Sequence, residues 1–128
     1  MNKPHTITIY NKLPDDTYAK KVLHNVYWYG SDSVNVSGKG IVESSSINII
    51  IEGENLNDYV DYHIFNSEDF EYAHQKYTIQ DGLRIVYGEG PDIYSINELS
   101  DAFKQITITS FNENIVGSSL DNLYITGR

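Results

Sequence analysis

Two runs of alternating apolar residues meet at a glycine turn in residues 77–90 (YTIQDGLRIVYGEG), and this pattern limits the fold more than any other part of the chain. Tyr77 and Ile79 precede Asp81-Gly82, and Leu83, Ile85 and Tyr87 follow it at alternate positions. A period of two places such residues on one face of a strand, whereas a helix would scatter them. The stretch therefore predicts two half-buried strands joined by a tight turn, the second ended by Gly88, Gly90 and Pro91. No side chain within it singles out a chemistry, so it reads as scaffold.

The same period recurs along the chain. Residues 5–10 (HTITIY) set Thr6 and Thr8 against Ile7 and Ile9, which predicts a first strand. Residues 11–16 (NKLPDD) predict a turn, because proline fixes φ and aspartate accepts from nearby backbone. Residues 17–29 then run back to complete an N-terminal hairpin, with a bulge or corner expected where the alternation breaks at 23–26. Residues 30–40 (GSDSVNVSGKG) hold only Val34 and Val36 among Gly, Ser and Asp, so a long mobile loop or an extended hairpin arm over 30–45 is expected.

Residues 46–52 (SINIIIE) form the strongest strand pattern and 53–57 (GENLN) end it, while Tyr59, Val60, Tyr62, Ile64 and Phe65 predict a partly buried piece beyond. A short helix is expected over 67–75, with Ser67 as N-cap and Glu68 and Asp69 in its first turn. A second is expected over 96–103, where Ser95 and Glu98 make a capping box ahead of Leu99, Ala102 and Phe103. Residues 105–111 and 121–126 alternate as strands, and 112–114 and 117–119 read as turns. The sum is a single domain over 1–128, mainly β: a small barrel or sandwich with one or two short helices and a long loop or arm.

A chain of 128 residues can bury a core without staples, and with no cysteine it has no disulfide framework or thiolate metal site. Its start goes straight into alternation with no signal-peptide pattern, so synthesis in the cytosol is expected. The longest apolar run, 47–51 interrupted by Asn48, is far short of the ~20 residues of a membrane helix. The net charge of −9 is unevenly spread: +2 over residues 1–39, −8 over 40–75 where there is no Lys or Arg, and −3 over 76–128. An acidic middle argues against gripping a phosphate backbone, which needs clustered basic residues, but not against a surface along which DNA slides. The 11 tyrosines suit half-buried strands and interfaces.

Searches for a reactive site give little. His5, His24, His63 and His74 are too scattered for a metal site, and Asp58, Asp61, Glu68, Asp69 and Glu71 lack the order of a calcium loop. Gly117-Ser118-Ser119 is not a nucleophile elbow, and Gly88-Glu89-Gly90 is not a phosphate loop. Tyr27, Trp28 and Tyr29 have only Lys20 and Lys21 near them, so packing or an interface explains them better than single-strand binding. The reading is of a protein that is not an enzyme and has no cofactor.

Taken together, HTITIYNKLPDDTYAKKVLHNVYW, YTIQDGLRIVYGEG, SINELSDAF, QITITSF and the closing NLYITGR resemble the minor capsid or head-tail joining proteins of tailed phages and prophages of Gram-positive bacteria. The most specific pieces are ITIYNKLPDDTY, IVYGEG and the terminal Gly-Arg. The chain departs from the family pattern over 55–75, which is longer and more acidic, and at its end, where an aromatic-acidic stretch before Gly-Gly-Arg is usual. The resemblance implies a connector or head-closure protein: a homo-oligomeric ring, hexameric by preference or dodecameric, between the portal and adaptor above and the tail proteins below. Genomic DNA would pass through it without specific binding, in a virion neck assembled in the host cytoplasm with no membrane partner.

In that setting Glu52, Glu54, Asp58 and Asp61 are expected to line the channel, and Trp28, Tyr29, Val34, Val36, Tyr124 and Arg128 to contact subunits or partners. Two other readings stay open. One is a tail-completion or tail-terminator ring; the other is a small β-barrel binding module for a carbohydrate or peptide, with Trp28 and the tyrosines as its binding face.

Overall fold

A computed structural model describes residues 5–13, 15–37, 40–65, 76–99, 104–118 and 120–128, with 31–37 and 40–45 described by backbone alone. Six strands form a closed antiparallel barrel: β1 (His5–Lys12), β2 (Tyr18–Ser37), β3 (Gly40–Glu52), β4 (Arg84–Tyr87), β5 (Gln105–Asn114) and β6 (Asn122–Gly127), in the order β1-β2-β3-β6-β5-β4. Closure pairs β4 back onto β1, with Ile9 opposite Ile85, so the wall has no free edge.

The wall follows the alternation. Ile7, Ile9, Leu23, Ile49, Ile51, Ile85, Ile106, Ile108, Leu123 and Ile125 point into one core and are at most 3% exposed. The N-terminal hairpin turns through Asp16 at φ 66, and Thr17 donates to the Asp15 carboxylate from both its amide and its hydroxyl. The expected bulge is present: His5 faces Val26 but Ile7 faces Leu23, so β2 carries one extra residue, with Asn25 at φ 62.

The hairpin expected over 77–90 does not form. Its second run is β4, but among the described residues the first makes only an isolated parallel bridge, Tyr77 to Tyr59. The Tyr77 amide donates to Asp58 O at 2.9 Å, and the Asn11 side chain bonds both Thr78 N (3.2 Å) and Thr78 O (2.9 Å). With its backbone satisfied in this way, the segment packs Tyr77 and Ile79 into the core. The reversal at Gly82 (φ 90) is anchored on β5 instead, Gly82 N donating to Ile108 O.

β1 is buried on both faces, which alternation alone does not predict. Thr8 and Tyr10, on its outer face, are covered by the segment after β4, which forms a second core of Tyr10, Val86, Ile93 and Leu99. Thr8 Oγ1 donates to Gly88 O and accepts from Gly90 N, and Tyr10 OH donates to Pro91 O at 2.6 Å. A Cβ on Gly90 would stand 2.2 Å from the Tyr10 hydroxyl, so glycine is required there. The Ser95–Glu98 capping box is present, but it caps a single 3-10 turn, Ile96–Glu98, and the chain is extended again at Leu99. The expected helix to 103 therefore stops early among the described residues; 100–103 and the helix expected over 67–75 lie outside them. A four-residue helix, α1 (Tyr62–Phe65), lies just before the latter. Residues 112–114, expected to turn, continue β5 because Asn112, Glu113 and Asn114 pair with Tyr124, Leu123 and Asn122.

Candidate functional site

Because neighbouring strands are antiparallel, the barrel has two rims. One gathers the starts of β1, β3 and β5 and the ends of β2, β4 and β6; the other gathers the opposite ends.

The first rim carries the arm. β3 pairs with β6 only from Ile47 to Glu52, yet it pairs with β2 from Ile50 out to Gly40. Residues 31–37 and 40–46 thus form a two-stranded ribbon that joins no third strand among the described residues. At ~3.3 Å per residue the ribbon runs about 20 Å past the barrel pairing. Val34 stands opposite Glu43 and Val36 opposite Ile41 in its register. At its root Tyr29, 42% exposed, and Tyr124 are joined through their hydroxyls at 3.4 Å, a bond that pushes the Tyr29 pKa up and disfavours its ionisation. Trp28 is not a surface residue: it is 5% exposed, packs in the barrel core and meets Tyr87 edge-on at 5.2 Å. Its place as a contact residue, and as the binding face of a ligand module, is corrected by this burial. Arg128 is exposed and its backbone pairs with Thr107 in both directions. Gly127 before it admits no side chain, since a Cβ would lie 2.6 Å from Thr107 O.

The second rim carries the acidic residues. Glu52 ends β3, Glu54 is exposed in the 3-10 turn Gly53–Asp58, and the exposed Asp61 accepts from the His63 amide. Asp58 differs from these: Lys21 lies 3.1 Å and Lys76 3.4 Å from its carboxylate. Burial alone would raise its pKa, but the two lysines outweigh this and hold the carboxyl below its usual range. Its charge is thus met by basic residues from outside the acidic segment. Nearby, Tyr59 donates to Glu113 at 2.8 Å and Tyr77 to Asn55 O at 2.8 Å. Burial, followed by Glu113 for Tyr59 and by Asp58 for Tyr77, pushes both phenols up.

The same rim holds two further features, the turn expected over 117–119 and a cavity that the sequence did not single out. The turn between β5 and β6 exposes Val116 (88%) and Leu120 (82%), with Ile115 beside them. It is braced by Asp121, whose carboxylate accepts from the amides of Val116, Gly117 and Ser118 at 2.9 to 3.1 Å and from the Ser118 hydroxyl. These bonds, that of Val116 foremost, hold the Asp121 carboxyl below its usual range. The second feature is a cavity of about 240 Å³ beside the end of β1, lined by Leu13, Tyr62, Phe65, Leu83, Lys12 and Thr78 among others. The turn was expected from Gly117-Ser118-Ser119, but its exposed apolar residues and its Asp121 brace were not. The cavity had no sequence signal, because its walls are far apart in the chain.

Among the described residues no cluster of His, Asp or Glu is placed to hold a metal, and no helix is long and apolar enough to cross a membrane. The geometry defines a class: a small closed antiparallel β-barrel with a filled interior, a ribbon arm on one rim and an apolar-tipped turn on the other. Within that class, the chain belongs to a family of unknown function, DUF6751, whose profile matches residues 2–128. Comparison with curated proteins and with solved structures finds no match.

Proposed function

We propose that this chain is a structural subunit of the head-tail joint of a tailed phage: a head-closure ring protein between portal-adaptor and tail. The observation that carries the reading is the ribbon. Among the described residues the two-stranded arm pairs only with itself, which leaves outer backbone groups for a neighbouring subunit or partner strand, the usual chemistry of strand addition. The barrel supports the reading as a rigid body whose side-chain-filled interior leaves no bore. The DNA channel is accordingly the hole of the ring, between subunits.

In this arrangement Glu52, Glu54 and Asp61 face the channel and keep DNA from adhering, whereas Asp58, neutralised by Lys21 and Lys76, contributes little. Tyr29, Tyr124 and the ribbon carry contacts to neighbours. The ring is a hexamer by preference, part of the virion neck, and assembles in the host cytoplasm.

Electron microscopy and mass photometry of the purified chain test this directly. Closed rings of six or twelve copies that bind portal-adaptor assemblies are expected. A chain that stays monomeric at high concentration and joins no neck component would overturn it. Neutralising Glu52, Glu54 and Asp61 together is expected to leave rings intact and slow DNA exit.

A further inference from the structure

The backbone groups on the two edges of the ribbon follow from its register. In an antiparallel strand successive residues send their N–H and C=O groups to opposite sides. Trp28 N donates away from β3, to His5 Nδ1 at 3.0 Å, and the pairing of β2 with β3 runs from Tyr27–Ile50 to Ser37–Gly40 without a shift. Asp32, Val34 and Val36 therefore also turn their backbone groups away from β3. In the same register they stand opposite Ser45, Glu43 and Ile41, whose backbone groups turn away from β2.

Two strands by themselves are marginal in water, and a third is what stabilises a sheet. Among the described residues the same barrel does not supply it: β1 ends its pairing with β2 at Val26, and β6 ends its pairing with β3 at Ile47. The two edges are, however, complementary to each other. β2 and β3 run in opposite directions, so the β2 edge of one copy lies antiparallel to the β3 edge of a second copy that projects its ribbon the same way. Copies related by a pure rotation hold equivalent residues at one level, which brings Val34 of one copy opposite Glu43 of the next. Both residues turn their backbone groups outward, so N–H meets C=O in both directions with no change of register.

We propose that the ribbon is a self-recognition site: the β2 edge of one copy, at 30–36, adds to the β3 edge of a second copy, at 41–45, and the ribbons of an assembly become one antiparallel sheet. The contact joins two different edges, so it is heterologous. Each copy that docks keeps one edge free for the next, and the pairing ends only where the last copy meets the first. This deepens the ring reading above and rests on it for closure. The contact is made by main-chain groups, so it depends on which amides face outward and not on the residue type at those positions.

Proline removes one amide donor and is accommodated on an exposed strand edge. Val34→Pro and Glu43→Pro each remove an outward donor and leave the ladder between β2 and β3 in place, which hydrogen exchange at the inward amides of Asn35 and Val42 checks. Asp32→Pro and Ser45→Pro repeat the test at a second outward pair. Each proline variant alone is expected to self-associate about tenfold more weakly than wild type, or less still, while Val34→Ala and Glu43→Ala associate as wild type does. Mixed, Val34→Pro and Glu43→Pro are expected to form a pair and nothing larger, because each keeps the edge that the other lacks. Rings of unchanged size from all the proline variants would overturn the edge pairing and leave the ring reading standing. A proline variant that still dimerises by itself, with no new species in the mixture, would mean a two-fold contact of like edges and would also overturn it. Open rows of wild-type copies, with the pair seen in the mixture, would support the pairing and remove ring closure. A wild-type chain that never associates would remove both.

Discussion

Tyr10 and Gly90 show how closely single residues are fixed by the segment that covers β1. The Tyr10 ring is 1% exposed, its hydroxyl donates to Pro91 O, and Gly90 lies against that hydroxyl. Gly90→Ala forces two buried groups apart and is expected to cost about 1–3 kcal/mol, measured as a shift in denaturant midpoint; no shift would mean that the segment is loosely held. Burial, then Asp92, pushes the Tyr10 pKa up to about 12. Its unfolded value is about 10, so the stability gained by burying the neutral phenol is complete below pH ~10 and is lost as pH rises toward 12. Thermal unfolding followed by circular dichroism from pH 9 to 12 should show a shallower alkaline decline for Tyr10→Phe than for wild type. Some decline should remain, because Tyr59 and Tyr77 are raised in the same direction.

At the scale of elements, the turn between β5 and β6 depends on one carboxylate. Asp121→Asn keeps the shape but weakens acceptance from three amides. Hydrogen exchange at Val116, Gly117 and Ser118 is expected to accelerate while the barrel amides stay protected; unchanged exchange would mean that the backbone holds the turn by itself. The Asp121 carboxyl is held below its unfolded pKa, so its bracing is present above the usual carboxylate range and fades as pH falls through the folded value. Asp58 follows the same sign through Lys21 and Lys76. Both contacts therefore persist through the usual carboxylate range and are lost only as pH falls below it.

At the scale of the whole molecule, barrel and ribbon are separable in their pairing. Joining Gly30 to Ile47 through a short Asn-Gly turn removes the ribbon and leaves every barrel ladder in place. The melting temperature is expected to stay within about 5 °C, the scale of 1 kcal/mol in a small domain, while assembly is lost. A shortened chain that still forms rings would locate the subunit contacts on the barrel alone.

The barrel wall was legible in the sequence because strand alternation is local: SINIIIE, QITITSF and HTITIY each fix which side chains face inward before any partner is known. The bulge at 23–26 and the Ser95 capping box were legible for the same reason. What the tertiary structure decided are the matters in which a backbone group has more than one possible partner. Tyr77 to Ile79 alternates as a strand does, yet Asn11 and Asp58 take its hydrogen bonds and turn it into core filling. Trp28 looks like an interface residue until the closed wall encloses it. Barrel closure through β4 and β1, the second core over β1, the cavity and the neutralised Asp58 all join residues distant in the chain. Local periodicity carries no information about such pairs, because their energy exists only once the chain has brought them together.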